Sequence, residues 1–191
     1  MKWFGKLCMV IAIAMTCTAC EMNNMGPKEE VVHRITLPLE RITDTGILEE
    51  EVKESVQAAA EAEDLLAKQI RETTWSLGDV KIDGDQAEVE VSVTGYDIGS
   101  AVYYALGGLD EMETDGLTET DRKELAQAEL YKNLVNELRV MESNEIRIKK
   151  QMVVRLKKEL FGWAMDAEDA DALADALAGG FYSGFKAFGM E

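Results

Sequence analysis

Residues 75–96 read Trp75-Ser-Leu-Gly-Asp-Val-Lys-Ile-Asp-Gly-Asp-Gln-Ala-Glu-Val-Glu-Val-Ser-Val-Thr-Gly-Tyr96. Ala87, Val89, Val91 and Val93 fall on one side of an extended chain, with Glu88, Glu90 and Ser92 on the other. Period-two alternation marks a half-buried strand, because successive side chains point to opposite faces. Upstream, Val80 and Ile82 lead into Asp83-Gly84-Asp85, where glycine can supply the positive φ of a tight hairpin turn. The stretch therefore predicts a β-hairpin with one face turned to a core.

Helical periods flank it. From Ile47 to Thr73, Leu48, Val52, Val56, Ala59, Ala62, Leu66 and Ile70 recur at spacings of three and four, which predicts a long amphipathic helix. Asp44 or Thr45 would cap its start. After the hairpin, Asp97 is placed to cap a short helix running to Leu106 and ending at Gly107-Gly108. Glu124 to Met141 predicts a second long helix, with Leu125, Ala128, Tyr131, Leu134 or Val135, Leu138 and Met141 along one side. Thr118 and Asp121 stand at capping-box spacing and could start it a turn earlier. Glu145 to Lys157 alternates again, Ile146, Ile148, Met152, Val154 and Leu156 against Arg147, Lys149, Arg155 and Lys157. Leu160 to Met165 reads as a shorter strand, and Asp166 caps a helix from Ala167 to Ala178, ended by Gly179-Gly180. Phe181, Tyr182, Phe185 and Phe188 form an aromatic tail. Near the start, Val31 to Glu40 alternates and predicts an edge strand, since Pro38 cannot donate to a central ladder. The order predicts an α+β domain over residues 31–191, with a long helix packed on a curved antiparallel sheet and extra helices beside it.

The first twenty residues are of another kind. Lys2 and Lys6 precede the apolar run Leu7 to Met15. A basic start and a short apolar stretch are the parts of a secretory signal. The run is shorter than the ~20 residues needed to cross a bilayer. It ends in Cys17-Thr18-Ala19-Cys20, which resembles a lipobox. That resemblance implies cleavage before Cys20 and diacylglycerol on its sulfur, a lipid anchor facing outside the cytoplasm. Thr18 and Ala19 are small, as the pattern asks; Cys17 stands where leucine is usual. The rival is cleavage after Ala19 with free secretion, Cys17 and Ala19 giving a small-x-small site. Cys8, Cys17 and Cys20 are the only cysteines, so cleavage leaves one, and a lipidated thiol accounts for it. The exported body then has no disulfide, no cysteine-based metal site and no catalytic thiol. The expected organisation is a signal peptide over residues 1–19, a lipid-anchored tether over 20–30 containing Gly26 and Pro27, and one domain.

Charge narrows the partners. The chain has 20 basic residues against 37 acidic ones, a net of −17, and two of the basic ones, Lys2 and Lys6, belong to the expected signal. Such a balance disfavours nucleic acid, whose phosphates demand cations. His33 is the only histidine, so any triad or histidine-containing zinc site would have to use it. Glu111, Glu113, Asp115 and Gly116 imitate part of a calcium loop, but the closing position is Arg122 where a bidentate glutamate belongs. A solvated acidic loop is the better reading. Arg147, Lys149, Lys150, Arg155, Lys157 and Lys158 form a basic strip, read mainly as a wet strand face that neutralises acidic helices and protects an edge. Asp97, Tyr103, Tyr104 and Trp163 are candidates to line a small-molecule pocket, or equally to be core. No phosphate loop, dinucleotide fingerprint or nucleophile elbow occurs, and no cofactor is implied.

Trp75 to Thr94, together with Leu160-Phe-Gly-Trp-Ala-Met-Asp166 and Leu173-Ala-Asp-Ala-Leu-Ala-Gly-Gly180, resembles small uncharacterised lipoproteins of Gram-positive bacteria. Their domain is cystatin-like, of the nuclear-transport-factor-2-like kind. The resemblance covers Ile47 to Gly180 and implies a long helix laid across a curved sheet. It carries a role only to Cys20, and its helical segment from Asp97 to Ser143 is longer than the simplest such domain has. Some members of that wider class are isomerases with a carboxylate base in a cone-shaped cavity, which Asp97 with Tyr104 would imitate. The expected function is a membrane-anchored, non-catalytic module that binds a small molecule or an envelope protein. The alternatives are a small-molecule enzyme, isomerase- or hydrolase-like, and a structural envelope protein without a pocket.

Overall fold

The computed structural model describes residues 26–44, 57–112, 116, 118–160 and 162–188. The expected signal, Cys20, and Leu48, Val52 and Val56 of the long helix lie outside these residues. The predicted hairpin forms. Strand β1 (Thr74–Asp83) pairs with β2 (Gln86–Tyr96), and Gly84, at φ +58°, opens the two-residue loop between Asp83 and Gln86. A register slip between Leu77 and Val80 marks a bulge. It keeps Trp75, Leu77 and Val80 on the core side although their sequence parity changes. Strands β3 (Arg147–Glu159) and β4 (Gly162–Met165) complete an antiparallel sheet of order β1-β2-β3-β4. Across its centre Val89 faces Val154 and Ala87 faces Leu156, all buried. Each of the valines and Leu156 contributes roughly 1.5–3 kcal/mol through burial, and the Ala87 methyl less.

Six helices accompany the sheet among the described residues: α1 (Pro27–Asp44), α2 (Gln57–Arg71), α3 (Ile98–Gly107), α4 (Glu119–Ser143), α5 (Ala167–Leu177) and α6 (Phe181–Ala187). A 3-10 turn, Gly108–Glu111, follows α3. The α+β class and the antiparallel sheet are as expected. Helix α2 buries Ala59, Ala62, Leu66 and Ile70, as its spacing requires. The hydroxyl of Thr118 accepts from the Asp121 amide at 3.2 Å and starts α4 at the earlier of the two expected points.

Four expectations are corrected. Residues 31–40 are not an edge strand but part of α1. Val31, Ile35 and Leu39 are fully buried, and positions four apart share one side in both a helix and a strand. His33 and Leu37, the positions that only a strand would add to that side, are half-buried. Pro27 sits in the first helical turn, where its missing N–H costs nothing. Glu29 reaches back to the Gly26 amide at 3.2 Å, so residues 27–30 belong to the helix and not to a leash. Asp44 is the last residue of α1, and the expected cap and start of the next helix, from Thr45 on, lie outside the described residues. In α4, Leu125 and Ala128 are exposed, because only the second half of that helix meets the core. Leu160 stands outside β4, which begins at Gly162.

The aromatic tail is helix α6, docked on α3. Gly179 and Gly180, at φ +63° and +84°, end α5 and reverse the chain. The Gly99 amide donates to the Gly179 carbonyl at 3.0 Å. A Cβ on Gly184 would lie 2.4 Å from the carbonyl oxygen of Gly99, and one on Gly99 2.5 Å from that of Gly180. The two helices therefore meet backbone to backbone. Gly184→Ala is expected to lower the urea midpoint by the equivalent of about 2–3 kcal/mol. Gly107→Ala, whose Cβ would meet only the Phe188 ring at 4.0 Å, should be neutral or mildly stabilising. Equal midpoints for both variants would contradict this packing.

Candidate functional site

The charged residues of the sheet and of α5 form the most developed polar arrangement. Lys150 was expected on the wet strip of β3. Its parity instead places it with Val154 and Leu156, opposite buried Val93, on the covered side. Its Nζ donates to Oδ2 of Asp175 in α5 at 3.0 Å. The same carboxylate accepts from the amides of Tyr182 and Ser183, at 2.9 and 3.1 Å, and from the Ser183 hydroxyl at 2.6 Å. These amides are unsatisfied donors of the first turn of α6, where negative charge is favoured. Burial alone would raise the Asp175 pKa; the bonds from Ser183 and Lys150 outweigh it and hold the group below the usual carboxylate range. The position is a structural tie, with every described contact satisfied by the fold.

Arg155 and Arg147 are also engaged. Arg155 forms a two-point pair with Asp169 of α5, at 2.8 and 2.9 Å, and the Arg155 amide donates to the same carboxylate at 2.8 Å. The guanidinium lowers the Asp169 pKa. Arg147 bonds Glu72 at the end of α2 at 3.1 Å, and its guanidinium lies 4.2 Å from the centre of the Tyr96 ring. Burial, then the bond to Glu72, raises the Tyr96 pKa. The expected neutralisation of acidic helices by the basic strand is thus borne out at three positions. Helices α2 and α4 are joined by the pairs Lys68–Glu142 and Arg139–Glu61.

Two groups on α2 are buried without full satisfaction. Glu63 is 3% exposed, and its Oε2 has no hydrogen-bond partner among the described residues. Burial, aided by the charge of Asp64, raises its pKa. Gln69 donates to the Leu138 carbonyl at 2.7 Å, while its Oε1 is likewise unpartnered there. Sequence reasoning did not single out Glu63. Its signal was a carboxylate beside Ala62 and Leu66, within the apolar stripe of a helix.

The four pocket candidates are not brought together. Asp97 caps α3, accepting from the Ser100 amide at 3.2 Å and from its hydroxyl at 2.8 Å. Tyr103 and Tyr104 are exposed, with Tyr103 edge-on to Tyr104 and to Phe188. Trp163 is buried in the core at the other end of the sheet. Tyr96, next to Asp97, pairs with Arg147, whereas Trp163 pairs with Lys158. Eleven residues of extended strand separate those registers, roughly 35 Å. A surface depression of about 350 Å³ lies instead where β2, β3 and β4 meet, with Gln86, Glu88, Lys157 and Ala164 around it. Of the acidic loop, Glu113 and Asp115 lie outside the described residues. Among the described residues no three histidine, cysteine or carboxylate side chains are grouped to hold a metal. None of the described helices is long and apolar enough to cross a membrane. No family model, curated protein or solved structure matches the chain.

The two shifted carboxylates, buried Glu63 and half-buried Asp175, predict opposite pH effects. The folded pKa of Asp175 is lowered, so its contribution is complete above the ordinary carboxylate range and is lost as pH falls through the lowered value. That of Glu63 is raised, so stability falls as pH rises from the ordinary value through the raised one. Asp175→Asn should cost about 2–3 kcal/mol at neutral pH and less in acid. Glu63→Gln should stabilise at neutral pH and do little in acid. Urea titrations across pH check both; offsets independent of pH would refute the assignments.

Proposed function

We propose that the chain is an exported lipoprotein, held to a membrane by diacylglycerol on Cys20. It presents a non-catalytic module that binds a small molecule or an envelope protein. The observation that carries this reading is Cys17-Thr18-Ala19-Cys20 behind Lys2, Lys6 and the Leu7–Met15 run, in a chain with no cysteine after Cys20. The spent charges of Asp175, Asp169 and Arg147 support binding over turnover, because each is bonded within the fold. Exposed Tyr103 and Tyr104 suit contact with a partner, since aromatic side chains are enriched at interfaces. The acidic balance argues against nucleic acid.

The kinship proposed is with Gram-positive lipoproteins of cystatin-like, nuclear-transport-factor-2-like architecture. A helix leading into an antiparallel sheet with one covered face supports it. One observation favours a second reading, a small-molecule enzyme with a carboxylate base. Glu63 is desolvated and has a raised pKa, and such groups cluster at sites of proton transfer.

Cys20→Ala is expected to abolish incorporation of labelled palmitate and to release the protein from the membrane fraction. Label that persists in the variant would refute lipidation at Cys20. An unmodified amino terminus on the native protein would favour free secretion.

A further inference from the structure

The two edges of the sheet differ. Beyond β3 lie β4 and the start of α5, whereas β1 has no strand beyond it among the described residues. The register shows which of its backbone groups point outward. The Arg155 amide donates to Asp169, and the Arg155 carbonyl accepts from the Asp166 amide, so this residue turns its backbone away from β2. Its cross-strand neighbour Glu88 then turns its own toward Lys81 of β1, because bonded and non-bonded pairs alternate along an antiparallel ladder. Val80 and Ile82, on either side of Lys81, therefore direct their N–H and C=O groups outward. Those groups have no hydrogen-bond partner among the described residues.

The side chains at this edge specify what fits it. On the core side Val80 is half-buried and Ile82 is 37% exposed, so the apolar row stops unfinished. Asp79 and Asp83 flank Lys81, Glu88 stands opposite it, and Asp85 and Glu90 are close by, all exposed and in no ion pair among the described residues. Acid thus outweighs base here, in a chain of net charge −17. The bulge between Leu77 and Val80 ends the regular edge and limits pairing to Val80–Asp83. A bulge and charged flanks guard an edge against indiscriminate pairing, and they also select the strand that is accepted. We propose that the Val80–Asp83 edge takes up an extended segment of a partner protein as a fifth, antiparallel strand. Its apolar side chains lie opposite Val80 and Ile82, and its basic ones lie beside Asp79 and Asp83. Main-chain bonds give such a complex its affinity, and the alternate side chains its specificity. A second copy of β1 would instead double the acidic excess. This deepens, and rests on, the partner-binding reading proposed above.

The probe is a capped seven-residue peptide with valine at its odd positions, lysine at the second and sixth, and threonine at the fourth. It is titrated into the whole, nitrogen-15-labelled chain. Amide hydrogen exchange at Val80 and Ile82 should slow severalfold, while that at Lys81, already turned to β2, changes little. Val80→Pro removes an outward N–H that the ladder does not use, so it should weaken the peptide at least fivefold with little change in the urea midpoint. Should that variant be destabilised, the peptide N-methylated at its valines carries the same test on the unaltered protein and should not bind. Glutamate in place of both lysines should also abolish binding. Equal affinity of the N-methylated or glutamate peptide, or a bound peptide that leaves Val80 and Ile82 unprotected, overturns strand addition at this edge. A peptide that alters no amide overturns it likewise, and leaves partner binding elsewhere intact. The partner-binding reading itself fails if crosslinking in intact cells returns the chain joined to no other protein.

Discussion

The carboxylate of Asp175 is the point at which three parts of the molecule are held together. It belongs to α5, neutralises Lys150 of β3, and accepts from the first amides of α6. A half-buried lysine opposite Val93 loses part of its hydration, as does the half-buried carboxylate, and each offsets the other's cost. The lysine and the positive end of a helix satisfy the carboxylate together. With α6 fixed in this way, the Gly179-Gly180 reversal brings Gly184 onto Gly99. The close crossing of α3 and α6 then follows. The helical cluster at one end of the sheet depends on this bonded charge.

The same helix solves an edge problem. Strand β4 pairs with only the last residues of β3, which would leave the rest of that edge open. Helix α5 starts where β4 stops. The Asp166 amide donates to the Arg155 carbonyl at 2.9 Å, and Asp169 accepts from the Arg155 amide. An exposed ladder edge invites pairing with other chains, and a helix with acidic caps blunts it. Part of the excess of acid over base is therefore spent on covering β3.

What remains for function lies at the two ends of the sheet. At one end the glycine crossing carries exposed Tyr103 and Tyr104. At the other, the β1–β2 turn and the open Leu160 tip lie side by side. The partner-binding module proposed above accounts for the exposed Tyr103 and Tyr104. The buried Glu63, on the core side of α2, is the group that this account leaves over.

Local chemistry was legible in the sequence. The hairpin at Gly84, the caps at Asp97, Thr118 and Asp166, and the stop at Gly179-Gly180 each depend on residues within a few positions of one another. The chain alone was enough for them. Tertiary structure decided what local pattern left ambiguous. Val31, Ile35 and Leu39 satisfy a strand and a helix alike, and only packing against the sheet selected α1. Lys150 read as one more cation on a wet strip until Asp175 was found across from it. Asp97 and Trp163 carried suitable chemistry for one pocket, but strand register put them at opposite ends. Propensity acts between near neighbours, whereas partners across the core are chosen by register and by the packing of the whole chain.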